Sequence, residues 1–92
     1  MPVGTATVDF GTPGRWEASV TVTGQGSIVS SSKVEPFVMA TASSDHSADE
    51  HRAEQIKATA GAIVDGVGFT IWANATGNRP LRGQWTIHWV WV

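Results

Sequence analysis

The chain has no cysteine, which rules out disulfides, thiolate metal sites and cysteine nucleophiles together. That absence fits a reducing compartment, and equally a secreted or particle-borne protein held by strand pairing. Charge is scarce too: 15% of the residues are charged, the formal net charge is −2 and the pI is near 5.8. With no basic stripe to neutralise a phosphate backbone, no nucleic-acid partner is expected. No apolar run approaches the length that crosses a bilayer, so no membrane partner is expected either. Met1-Pro2-Val3 leads directly into alternating residues, without the basic start and apolar stretch of a secretory signal. A length of 92 residues suits a single domain, 1–92. A domain of this size buries a modest share of its surface, and oligomerisation is a common remedy.

What the chain does have is tryptophan, five in all, three of them within the last eight residues. In Trp85-Thr86-Ile87-His88-Trp89-Val90-Trp91-Val92, the residues Trp85, Ile87, Trp89 and Trp91 recur with period two. They share one face of an extended strand, and no helical turn would gather them. The opposite face, Thr86, His88, Val90 and Val92, is also largely apolar, which predicts burial on both faces, inside a sandwich or against a partner chain. Trp85, Trp89 and Trp91 are therefore expected in a core or a subunit interface, and His88 either buried with a satisfied partner or at a subunit contact. Trp72 falls on the face opposite Phe69 and Ile71 and is the one indole placed to stack on a sugar ring.

The remaining pattern is also of strands. Thr5 to Phe10 and Trp16 to Thr23 alternate, the latter with Trp16, Ala18, Val20 and Val22 inward. Gly11-Thr12-Pro13-Gly14 between them reads as the turn of a hairpin. Short strands follow at Ser27 to Val29 and Val34 to Thr41, with Pro36 demanding an edge, a bulge or a strand start. Alternation resumes with Ile56, Ala58 and Ala60, Gly61 to Gly66 reads as a turn, and Val67 to Asn74 and Leu81 to Val92 complete the set. Six or seven short strands predict an all-β, antiparallel sandwich or jelly-roll-like barrel.

Chemistry could reside only in the polar block Asp45-His46-Ser47-Ala48-Asp49-Glu50-His51. Imidazole and carboxylate are the ligands of zinc, nickel or manganese, so His46, Asp49, Glu50 and His51 form a candidate divalent-metal set and the basis of a metal-dependent hydrolase. The two histidines are five apart, unlike the i, i+4 pair of the known zinc motif. Ser47-Ala48-Asp49-Glu50 also matches a capping box, in which Ser47 starts a single helical turn; that capped turn or a plain solvated loop, with no cofactor bound, is the favoured reading. A Ser43, His46, Asp49 triad and an Asp49, Glu50 carboxylate pair rest on sequence proximity alone.

Several stretches resemble small bacteriophage structural proteins and fibre-tip or tail-associated domains. These are Val20-Thr21-Val22-Thr23-Gly24-Gln25, Ile28 to Glu35, Asp45 to His51 followed by Ala60-Gly61, Gly66 to Ile71, and Gly83 to Trp91. The resemblance runs over most of the chain. It implies a virion setting, contacts with other virion proteins and a homo-oligomer, a trimer or ring among its forms, and it assigns no catalytic residue. The leading expectation is a non-enzymatic tail- or fibre-associated structural protein assembled through its aromatic face. The alternative is a carbohydrate-binding module that meets host surface glycans through Trp72 and the Asp45 to His51 loop.

Overall fold

A computed structural model describes residues 2–92 and contains six strands and one short helix. In chain order they are β1 (Val3–Asp9), β2 (Glu17–Val22), β3 (Val34–Phe37), α1 (Ala48–Ala53), β4 (Ile56–Val64), β5 (Gly68–Ala75) and β6 (Gln84–Trp91). The strands form two three-stranded antiparallel sheets, ordered β1-β6-β3 and β2-β5-β4. They face each other as a sandwich, with β1 packed near β2 and β3 near β4.

Period-two alternation places the core. Val8, Phe10, Trp85, Ile87, Trp89 and Trp91 from one sheet meet Phe69, Ile71 and Ala73 from the other, with Ile28 and Leu81 closing the ends. Trp89 packs edge-to-face on Phe69, with centroids 5.3 Å apart at 80°. Trp85, Trp89 and Trp91 are only 2%, 6% and 7% exposed within the single chain. No second copy is needed to cover them, so the expected aromatic interface is an intramolecular core. Burying an indole removes about 150–250 Å² from water, worth on the order of 4–6 kcal/mol before entropy is counted. The other face of β6 is half-buried, carrying Thr86, His88 and Val90.

Other expectations change. Strands do form within 5–10 and 16–23, as parts of β1 and β2, yet they are not a hairpin: β1 pairs with β6 and β2 with β5. The Gly11–Gly14 segment instead carries the chain across the sandwich. Its ends are tied to the β5–β6 loop by Phe10 N–H donating to Gly83 O (2.9 Å) and by the Arg15–Leu81 bridge. Trp16 has the parity of the inward residues but is 52% exposed, because it precedes β2 at the end of the sheet. Residues 27–29 join two turns, closed by Ile28 N–H to Gln25 O and Ser32 N–H to Val29 O, with Ile28 as a core anchor and no strand. β4 runs through the expected turn at Gly61 as far as Val64, by way of a register shift in which Ala62 adopts φ 50°. Pro36 lies on β3, an edge strand, one of the positions its missing donor permits.

Candidate functional site

β3 stops at Phe37, so the half of β6 beyond it would have a bare backbone edge. The polar block fills that gap with side chains. His51 Nε2 accepts from the Thr86 backbone N–H (2.9 Å), Asp45 Oδ2 accepts from Gln84 N–H (2.7 Å), and the Ser43 hydroxyl donates to Gln84 O. Segment 43–51 thus acts as a surrogate strand, satisfying main-chain groups that a sheet neighbour would otherwise meet.

The local sequence explains how these groups are held. Ser47 is the N-cap of α1 and makes a full capping box: its hydroxyl accepts from Glu50 N–H, and Glu50 Oε1 accepts from Ser47 N–H. The turn presents His51 inward, 2% exposed, with Nδ1 donating to Ser47 O (2.9 Å). One ring nitrogen donates and the other accepts, so His51 is neutral with its proton on Nδ1. Both nitrogens are occupied.

His46 is occupied differently. Its ring stacks on Trp85, with centroids 3.7 Å apart at 17°. Nε2 faces Arg82 O (2.7 Å), and Nδ1 faces Glu50 Oε2 (2.9 Å). A carbonyl and a carboxylate can only accept, so each of these bonds uses a ring nitrogen that carries a proton. The bond to His46 is the main cause that pulls the Glu50 carboxyl below its ordinary value, helped by the Ser47 backbone N–H.

The four residues expected to form a metal set are near in sequence but do not converge. Asp49 points to solvent and pairs with Arg52 at 3.6 Å, while Glu50 is held by His46 and Ser47. Among the described residues, no group of three or more His, Cys, Asp and Glu is arranged to hold a metal ion. The Ser43 hydroxyl, offered for a triad, donates to the backbone of β6 and not to the His46 ring.

Two surfaces remain. A cleft of about 340 Å³ opens between α1 and the β5–β6 loop, with Glu50, Glu54, Arg79 and Arg82 above Leu81 and Trp85. Its charges are paired in part, Arg79 with Glu54 at 3.3 Å. The second surface is the outer face of β2-β5-β4, where half-buried Trp72 lies between Ser19 and Thr59. Rows Thr21–Thr70–Gly61 and Glu17–Asn74–Lys57 flank it. A Cβ on Gly61 would stand 3.5 Å from the indole, so the ring leans across a position that has no side chain.

His88 lies on the outer face of β1-β6-β3, bonded through Nε2 to Thr41 Oγ1 (3.0 Å) and stacked on Phe37. The sequence reading missed Phe37 and Met39, which are 37% and 47% exposed on and just beyond β3. Strand parity could have flagged Phe37, which pairs directly with His88. Comparison with protein-family models, curated proteins and solved structures finds no match.

Proposed function

We propose that this chain is a non-enzymatic structural component of a bacteriophage particle, tail- or fibre-associated, that works as a homo-oligomer. The observation that carries the reading is apolar surface around the sheet β1-β6-β3: Val3, Phe37, Met39 and Val92 are exposed beside half-buried Val90 and His88. Exposed apolar residues grouped on one side of a domain mark association sites, while single ones need no explanation. The polar block supports the same reading, since both imidazoles and the Asp45 and Glu50 carboxylates are spent on holding β6 and its approach and capping α1. The virion setting comes from the resemblance of the sequence stretches named above. Size-exclusion chromatography with light scattering, from micromolar to millimolar concentration, is the test. A stable oligomer is expected; a monomer throughout that range would overturn the reading.

A second reading has its own observation. Trp72 on a sheet face of serine, threonine, asparagine, lysine and glutamate side chains offers an aromatic plane ringed by hydrogen-bonding groups, the chemistry a pyranose ring requires. Titration with glycans, followed through the Trp72 indole resonance, is expected to move that signal in the parent and not in Ser19→Arg, which crowds the platform. No shift with any cell-surface glycan would remove this reading and leave the first untouched.

A further inference from the structure

Each sheet has two open edges, and the four edge strands are not equally guarded. Edge strands expose unpaired N–H and C=O groups, and proteins blunt them with proline, charge, shortness or bulges. β3 has only four residues and contains Pro36. Bonds between Lys33 and Val92 fix the β3–β6 pattern, so the odd residues of β3 face β6 and Pro36 faces the open edge, where no donor exists. β4 carries Lys57 and the irregularity at Gly61–Val64. These two guarded edges lie on the same side of the sandwich, since β3 packs near β4.

The other side carries the edges of β1 and β2, neither of which has a proline, a basic residue or a bulge; β1 is the longer, seven residues against six. β1 reads Val3-Gly4-Thr5-Ala6-Thr7-Val8-Asp9, with no proline, no basic residue and no bulge, and its only charge is at the end. Trp91 N–H donates to Pro2 O and Phe10 N–H to Gly83 O, so the even residues of β1 bond to β6. The backbone groups of Val3, Thr5, Thr7 and Asp9 therefore point out along the open edge.

We propose that the β1 edge is the homotypic contact of this protein, pairing antiparallel with β1 of a second copy so that β1-β6-β3 continues across a two-fold axis. The occupant is argued from the strand itself. An axis through Ala6 sets Thr5 opposite Thr7 of the second copy and Val3 opposite Asp9, all four being residues whose backbone groups face outward. Threonine against threonine is a favourable cross-strand pair. The two Asp9 carboxylates would sit about 20 Å apart at opposite ends of the pair, by the ~3.4 Å rise per residue. That exceeds the roughly 8–10 Å Debye length at ordinary salt, so no like charges meet. Such a contact is isologous and closes at two copies.

The inference rests on the homo-oligomer reading and names its contact, and the test separates the two. Thr7→Pro removes a donor from the open edge without touching the bonds to β6, where proline is tolerated on edge strands. The parent is expected to elute as a dimer. Thr7→Pro is expected to be a monomer with the parent's circular dichroism, and the Thr5 and Thr7 amides of the parent should gain exchange protection as concentration rises. Should Thr7→Pro fail to fold, Thr7→Lys places like charges about 7 Å apart across the axis, at ~3.4 Å of rise per residue, and decides the matter the same way. A Thr7→Pro dimer that Phe37→Ser dissociates would overturn the edge contact and keep the oligomer, moving it to the outer sheet face. A trimer would also overturn the edge contact. A parent that stays monomeric would end both.

Discussion

At the scale of single residues, the polar block is more informative as a set of hydrogen-bond partners than as a set of ligands. His51 is the plainest case: it is buried, and one ring nitrogen serves Thr86 N–H while the other serves Ser47 O. His51→Leu fills much of the space but strands both backbone groups, so a loss of about 2–4 kcal/mol is expected in urea unfolding. A loss under about 0.5 kcal/mol, the range of ordinary surface changes, would contradict the surrogate-strand role. Glu50 gives a pH test. Its folded-state value lies below the ordinary 4.5, so its ionised form stabilises the fold above 4.5, and that contribution disappears as pH falls through the lower folded value. Melting curves of parent and Glu50→Gln should differ at pH 6 and converge as pH falls through that lower value; a gap that stays constant as the pH is lowered would refute the assignment. The indoles also divide. Trp85 and Trp91 donate to Arg82 O and Gln25 Oε1, whereas the Nε1 of Trp89 is buried without a partner. Trp89→Phe should therefore cost about 1 kcal/mol less than Trp85→Phe or Trp91→Phe, the net worth of one hydrogen bond. Equal losses for all three would show that indole volume alone decides. The pairings with β6 were not legible in the sequence, because the Thr86 partner of His51 lies 35 residues away and the Gln84 partner of Asp45 39 away.

At the scale of elements, local pattern and local geometry separate cleanly. The strand content, the inward faces of β2 and β5, the edge placement of Pro36 and the capping box at Ser47 are set by neighbours in sequence, and all could be read there. The hairpin expected around Gly11–Gly14 could not, since turn chemistry reports that the chain bends and says nothing of which sheet it enters next. A close approach decides the β2–β5 pair instead. A Cβ on Gly68 would stand 1.8 Å from Val22 O, a distance no neighbouring backbone can yield without breaking the ladder. Gly68→Ala is expected to cost about 3 kcal/mol or more, at or beyond the usual upper range for overpacking. Gly26→Ala, with nothing within 4 Å of its Cβ, should stay within about 0.5 kcal/mol. Thermal melts of the two variants side by side make the comparison, and similar losses would show that β2 and β5 do not approach as described.

At the scale of the molecule, topology sets the order in which contacts can form. β4 and β5 are joined by the short Asp65–Val67 turn and pair as a hairpin, so their ladder closes a small loop. β1 and β6 come from the two ends of the chain, Val3 pairing with Val90. Bringing those ends together costs loop-closure entropy that only the finished core repays, and chains rich in such pairings fold slowly. The β4–β5 hairpin with the β2 strand laid on it is therefore expected in the folding transition state, and the β1–β6 pairing after it. A change confined to the early region slows folding, while one confined to the late region speeds unfolding. Ala60→Gly in β4, which faces Ile71, should lower the folding rate; Ala6→Gly in β1, which faces Ile87, should chiefly raise the unfolding rate. Stopped-flow chevrons of the two variants read this directly. The reverse assignment would mean that the terminal sheet nucleates the fold. A late-forming β1 would also be the strand whose edge remains open longest, so the order of folding bears on when a second copy can pair with it.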